Sequence, residues 1–154
     1  MVDCKKKIIF LCTGNTCRSP MAEALAKDEA QKNSLDLDIR SRGIAVFFPS
    51  HASPHAIEAM KDYGIDLSRH ISKGIEEEDI QNADIILTMT NAHKRALQDR
   101  FPEVHGKIFT LKEFVGESGD IEDPFGGSLE LYKNCAKTLS ELIKKLMIKL
   151  NEMC

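Results

Sequence analysis

No stretch of this sequence is apolar for long enough to cross a membrane. The basic start MVDCKKK followed by Ile8 to Cys12 imitates a secretion signal, but its apolar part is too short for one. The expected location is therefore the cytoplasm. An excess of positive charge is also lacking. Lys and Arg number 21 against 24 Asp and Glu, a net charge of −3, which argues against nucleic acid as a partner and makes any anion site a local one. A disulfide framework is missing too: the five cysteines, at 4, 12, 17, 135 and 154, are odd in number and scattered. They offer no second ligand pair at zinc spacing, so neither a metal nor another cofactor is expected. No internal repeat, low-complexity tract or linker interrupts the chain. A single domain over residues 1–154 is expected, long enough to bury about two-thirds of its unfolded surface.

Short apolar runs and capped helices then alternate. Ile8 to Leu11 reads as a strand buried on both faces. Ser19 and Pro20 read as an N-cap and first residue of a helix that continues to about Asn33. Leu35, Leu37 and Ile39 alternate with polar residues as in a second strand. Ser53–Pro54 repeats the capping signal for a helix ending at Gly64. ADIILTM (83–89) and KIFTL (107–111) read as the third and fourth strands, with a helix capped by Asn91 between them and ending before Pro102. Residues 115–128 form a turn-rich loop. Apolar residues at 132, 135, 136, 139, 142, 143, 146 and 150 then predict a long amphipathic helix. The KKK and EEED runs at 5–7 and 76–79 read as solvated charge. The alternation predicts an α/β fold: one domain, a four-stranded parallel sheet, and helices on both faces in three layers.

In such folds ligands bind beyond the carboxyl ends of the strands. The first strand runs into LCTGNTCRSPMAE, which places a cysteine, a polar loop and an arginine there. Gly14 and Asn15 are residue types that tolerate left-handed backbone, so the loop can curl and aim several amides at one centre. The start of the following helix adds its free N–H groups, and Arg18 adds a planar fork matched to phosphate oxygens. The same positive field is expected to stabilise a thiolate at Cys12 by lowering its pKa. A thiolate can attack phosphorus while amides and the guanidinium hold the non-bridging oxygens. The loop lacks the Gly-Lys-Ser/Thr ending of a nucleotide-binding loop. Taken singly, Cys12 is a small buried residue and Arg18 a surface charge. Their spacing after a strand and before a Ser-Pro helix start favours chemistry.

A leaving group expelled from phosphorus needs a proton. Asp123, in EDPFGG, is the candidate acid: it lies after the fourth strand, with Pro124 stiffening the loop and Gly126 and Gly127 turning it back. From local sequence alone an ordinary Asp-Pro turn is the favoured reading, and only the need for an acid opposite Cys12 makes the functional one competitive.

CTGNTCRSP with a distant DPFGG resembles the low-molecular-weight protein-tyrosine-phosphatase family, over essentially the whole chain. The resemblance implies that Cys12 is a nucleophile forming a phosphocysteine. It implies that Arg18 and the amides of residues 13–18 bind the phosphoryl group. Asp123 would protonate the leaving group and then activate water. Ser19 would hydrogen-bond the Cys12 thiolate, and Asn15 would shape the loop through a network whose matching positions are Ser41 and His70. No metal is implied. Thr13 and Thr16 stand where tyrosine-directed members usually carry an aliphatic residue and isoleucine, so the chain looks like the bacterial protein-arginine phosphatase branch. A hydroxyl suits phosphoarginine, polar beside its phosphorus, better than a hydrocarbon wall does. Phe125 would form an apolar wall against the substrate stem. Phe47 and Phe48 would either face it or pack on the body of the domain. For Cys17, the resemblance implies a reversible disulfide with Cys12 that protects the nucleophile; the alternative is a small residue packed beneath the loop. Cys4, Cys135 and Cys154 read as structural or incidental. His51, His55, His93 and His105 read as surface or capping residues.

Thiol-dependent arsenate reductases share this loop but need two later cysteines, and none lies between Cys17 and Cys135. A phosphocarrier would not require Arg18 or a distant acid, and a silent phosphoprotein-binding domain would be expected to have lost Cys12 or Asp123. The expected activity is hydrolysis of protein phosphoarginine by a monomeric enzyme, with tyrosine dephosphorylation by the same mechanism as the alternative. Phosphorylated proteins are the expected partners.

Overall fold

Three short apolar runs and one alternating segment become four parallel strands in a computed structural model that describes residues 5–153, the alternating strand starting at Leu37 rather than Leu35. Cys4 and Cys154 lie outside the described residues. The strands are β1 (Lys6–Cys12), β2 (Leu37–Gly43), β3 (Ile85–Thr88) and β4 (Ile108–Thr110), in the spatial order β2-β1-β3-β4. β1 pairs with β2 through Ile8–Ile39 and with β3 through Ile8–Ile85. Its side chains alternate between two cores. Ile8, Phe10 and Cys12 pack with α1 (Arg18–Lys32), α2 (Pro54–Lys61) and α6 (Leu129–Glu152). Ile9 and Leu11 pack with Ile80 of α3 (Glu77–Asn82) and Leu97 of α4 (Asn91–Arg100). That double burial is why β1 and β3 read as continuous apolar runs, and it gives the expected three layers. A short α5 (Leu111–Phe114) follows β4 directly. Among the described residues no helix is long and apolar enough to cross a membrane.

The helices differ from expectation mainly at their starts. α1 begins at Arg18, so Pro20 is its third residue, where a missing N–H still costs no intrahelical bond. Ser19 does not cap it; its hydroxyl is used elsewhere. Thr90 rather than Asn91 caps α4, accepting from the His93 amide at 3.1 Å. The acidic run at 76–79 is not merely solvated. It opens α3 with a reciprocal capping box between Glu76 and Asp79, and Asp79 also pairs with Arg42 at 3.1 Å. Ser53 and Ser128 cap α2 and α6 through the amides of Ala56 and Leu131.

The chain leaves β1 towards β2 on one side, and β3 lies on the other. The carboxyl end of β1 is thus the switch point of the sheet, where a crevice opens above the strands.

Candidate active site

β1 ends at Cys12 and α1 starts at Arg18, so Thr13 to Cys17 make the whole connection. Asn15 sets its curl: it is fully buried, with a left-handed φ of 56°. Its side-chain amide donates to Ser19 Oγ at 2.8 Å, and its Oδ1 accepts the Lys73 amide at 2.9 Å. His70 Nε2 meets its carbonyl at 2.7 Å. Gly14, expected to share the left-handed role, is not among the positive-φ residues; it lines the cavity, where a missing side chain leaves room. From below, the amides of Ile44 and Ala45 donate to the Cys12 and Thr13 carbonyls at 2.9 and 3.0 Å.

Cys12 Sγ lies 2.8 Å from Ser19 Oγ. The same oxygen accepts from Asn15 and lies 3.5 Å from the Arg42 carbonyl, so Asn15, Ser19 and Cys12 form one connected chain of polar contacts. The expected lowering of the thiol pKa is not what results. Burial pushes the Cys12 thiol up, and the Ser19 hydroxyl, the Ser19 and Asn15 amides and the Arg18 charge only partly oppose it. The upward push comes first from the sulfur being almost wholly out of water.

The Arg18 guanidinium, itself buried, is clamped from the far side. It donates to the Ile121 carbonyl at 2.8 Å, and its other arm reaches Asp123 Oδ2 at 3.4 Å. Asp123 is half exposed, and its Oδ1 accepts the Phe125 amide at 3.1 Å. The turn Pro124–Gly127 closes by a 2.8 Å bond, with Gly126 at φ 79°. Cys12, Thr13, Thr16, Arg18, Asp123 and Phe125 thereby line one cavity of about 190 Å³. It joins a sulfur nucleophile, a guanidinium and a carboxylate within one anion-sized space.

This geometry has known counterparts. The family model described as "Low molecular weight phosphotyrosine protein phosphatase" matches residues 7–153. The chain belongs to that family. It is 46% identical over 140 residues to a protein-arginine-phosphatase of Bacillus subtilis (strain 168), covering 90% of this chain and 93% of the relative. It is 42% identical over 140 residues to a low molecular weight protein-tyrosine-phosphatase, PtpB, of Staphylococcus haemolyticus, covering 91% and 96%. Among solved structures, the YwlE arginine phosphatase, as a cysteine-to-serine mutant with its active-site serine phosphorylated, superposes with a TM-score of 0.91 at 45% identity, covering 94% of this chain and 95% of that one.

Several residues of this family member fall elsewhere than expected. Ser41 does not reach Asn15. It lies on the face of β2 that packs against α1, and its hydroxyl donates to Glu23 there. The Lys73 amide, which no side-chain pattern announces, fills that place in the network. Phe47 and Phe48 are 91% and 74% exposed, neither lining the cavity nor packing on the body. Cys17 is buried and sits among the hydroxyls of Thr16, Ser53 and Tyr132 at 3.7, 3.6 and 3.4 Å. Burial raises the Tyr132 phenol to about 12, so that neighbour remains an un-ionised hydroxyl. The largest revision is His93. It is no surface residue: only 8% exposed, its Nε2 lies 2.8 Å from Thr13 Oγ1. Its place in the first turn after β3 was the available signal, since that end of the sheet faces the crevice.

Proposed function

We propose that this chain is a cytoplasmic, monomeric cysteine phosphatase, one catalytic unit over residues 1–154, that hydrolyses phosphoarginine on proteins. As the phosphoryl group enters, the Cys12 proton passes to the Asp123 carboxylate across the shared cavity, and the sulfur attacks phosphorus in line. The P–N bond breaks, its electron pair goes to the guanidine nitrogen, and Asp123 supplies a proton there. Arg18 and the loop amides of residues 13–18 hold the phosphoryl oxygens throughout. In the second step Asp123 takes a proton from water, the water oxygen attacks phosphorus, and the S–P bond breaks to release inorganic phosphate and Cys12. The phosphorylated serine in the solved arginine phosphatase occupies the place a phosphocysteine would take.

The observation that carries the substrate assignment is Thr16 in the cavity wall beside Cys12 and Arg18. A hydroxyl there can hydrogen-bond a guanidinium, which an aliphatic residue cannot. Phe125, 73% exposed at the rim, offers its ring to either an arginine stem or a tyrosine ring. Relatives named as tyrosine phosphatases keep phosphotyrosine as the second reading. Cys17, a free thiol lining the cavity with Cys12, supports a reversible disulfide between them under oxidising conditions.

Turnover of phosphoarginine and phosphotyrosine peptides, side by side in reductant and with Cys12→Ser as blank, tests the assignment. A preference for phosphoarginine supports it. A preference for phosphotyrosine keeps the mechanism and transfers the substrate to the second reading.

A further inference from the structure

His93 has one ring nitrogen on Thr13 and the other on nothing. Nε2 lies 2.8 Å from Thr13 Oγ1, whereas Nδ1 is, among the described residues, a buried side-chain nitrogen without a partner. A neutral imidazole carries a single proton. Placed on Nδ1, it would be a buried N–H with no acceptor, an arrangement folded proteins rarely tolerate. Placed on Nε2, it leaves only a bare lone pair on Nδ1. The proton therefore belongs on Nε2 and is donated to Thr13 Oγ1. The Thr13 oxygen is then an acceptor towards His93, and the hydroxyl proton is left for something else. Thr13 directly follows the nucleophile and lines the cavity that Cys12 and Arg18 share.

We propose that His93 is a positioning residue of the phosphatase reaction: as a neutral imidazole protonated on Nε2, it holds Thr13 so that the Thr13 hydroxyl donates to an oxygen of the phosphoryl group passing to and from Cys12. This rests on the phosphatase reading of the cavity but not on phosphoarginine as the substrate. The ring's surroundings keep it neutral. Burial brings the His93 imidazole down to about 4, the Arg18 guanidinium pushes the same way, and the carboxylates of Asp123 and Asp120 only partly oppose them. Thr13 and Thr16 then have different tasks. Thr16 meets the part of the substrate beyond phosphorus and selects between substrates. Thr13, tied to His93, adds a donor to the phosphoryl cradle and serves every substrate alike.

The test is a double-mutant cycle read on p-nitrophenyl phosphate turnover and on inhibition by orthovanadate. His93→Ala and Thr13→Val are each expected to lower kcat/KM about five- to tenfold, the size of one hydrogen bond, and to weaken orthovanadate by a similar factor. Together they should cost no more than Thr13→Val alone. His93→Gln, whose amide nitrogen can reach Oγ1, should recover most of the loss. A His93→Ala loss that multiplies undiminished through the Thr13→Val background overturns the proposal. Nitrogen-15 NMR of the wild-type histidines keeps the question open to refutation even where His93→Ala does not fold. A protonated Nε2 beside a bare Nδ1 at neutral pH is expected, and the opposite tautomer or an imidazolium overturns the assignment. Substrate preference in the peptide assay does not affect these readouts, whereas absence of turnover on any phosphate removes the phosphatase reading on which the proposal stands.

Discussion

On the proposed reading, single atoms decide what this site accepts. Thr16 differs from an isoleucine by a hydroxyl in place of hydrocarbon, and a guanidinium substrate loses a hydrogen-bond partner when that oxygen goes. Thr16→Ile is expected to lower kcat/KM on phosphoarginine peptides about tenfold or more while sparing or raising phosphotyrosine turnover. Parallel assays of the two peptides check it, and unchanged phosphoarginine turnover would reject Thr16 as the selector. Asp123 makes a different claim. Its carboxylate is tied at one oxygen to Arg18 and at the other to the Phe125 amide, so it overhangs the cavity without forming its floor. Asp123→Ala should leave inorganic phosphate binding nearly intact. It should slow turnover of poor leaving groups about a hundredfold or more while affecting good ones far less. A series of aryl phosphates of graded acidity separates the two, and equal losses across the series would count against the acid role.

At the scale of elements, the loop after β1 keeps its shape because its neighbours press on it. Gly43, the last residue of β2, is the contact point: a Cβ there would lie 2.7 Å from the Thr13 carbonyl oxygen, 3.1 Å from Asn15 Cβ and 2.6 Å from a methyl of Val46. The first two cannot move without uncurling the phosphate loop. Gly43→Ala is therefore expected to destabilise the fold by about 1–3 kcal/mol and to weaken orthovanadate inhibition as well. Denaturant melts beside vanadate titrations check both, and a purely stability effect would show that the loop does not depend on this contact. Such packing marks the limit of what a sequence discloses. β1 and β3 appeared as apolar runs because they are buried on two faces, β2 appeared as an alternation because it lies at the sheet edge, and Ser53 and Pro54 announced α2 because caps are local. Cys12, Arg18 and Asp123 were legible through residue type and place on the sheet. His93 was overlooked because its partner lies 80 positions away, and only its place in the first turn after β3 pointed towards the crevice. Ser19 was misread as a cap for the converse reason: its local signal was real, but a tertiary partner, Cys12, takes the hydroxyl. Asp79 was hidden in an acidic run because its ion pair with Arg42 bridges from α3 to the sheet.

Taken whole, the molecule buries titratable groups whose charged forms it disfavours, and this bounds its stability from both sides of neutral pH. His93 sits at about 4, below its ordinary value of 6.5. Between those values the unfolded chain binds a proton the folded one refuses, so the stabilisation is complete above pH 6.5 and is lost as pH falls towards 4. Cys135, buried against α6's own core, is pushed up to about 12 from 9.0, and Cys12 is raised in the same direction. Here the folded chain keeps protons that the unfolded chain releases, so stability is complete below pH 9 and is lost as pH rises towards 12. Unfolding free energies from urea melts should therefore form a plateau between these windows. Each group tilts its flank by at most about 1.4 kcal/mol per pH unit. The attribution is tested by slopes rather than by absolute stabilities, since any substitution in a core also changes packing. His93→Gln should flatten the acid flank between pH 6.5 and 4 and leave the alkaline one unchanged. Cys135→Ala should do the reverse above pH 9. An acid flank equally steep in His93→Gln would mean that carboxylates alone govern it, and that the buried imidazole is not held neutral by the fold.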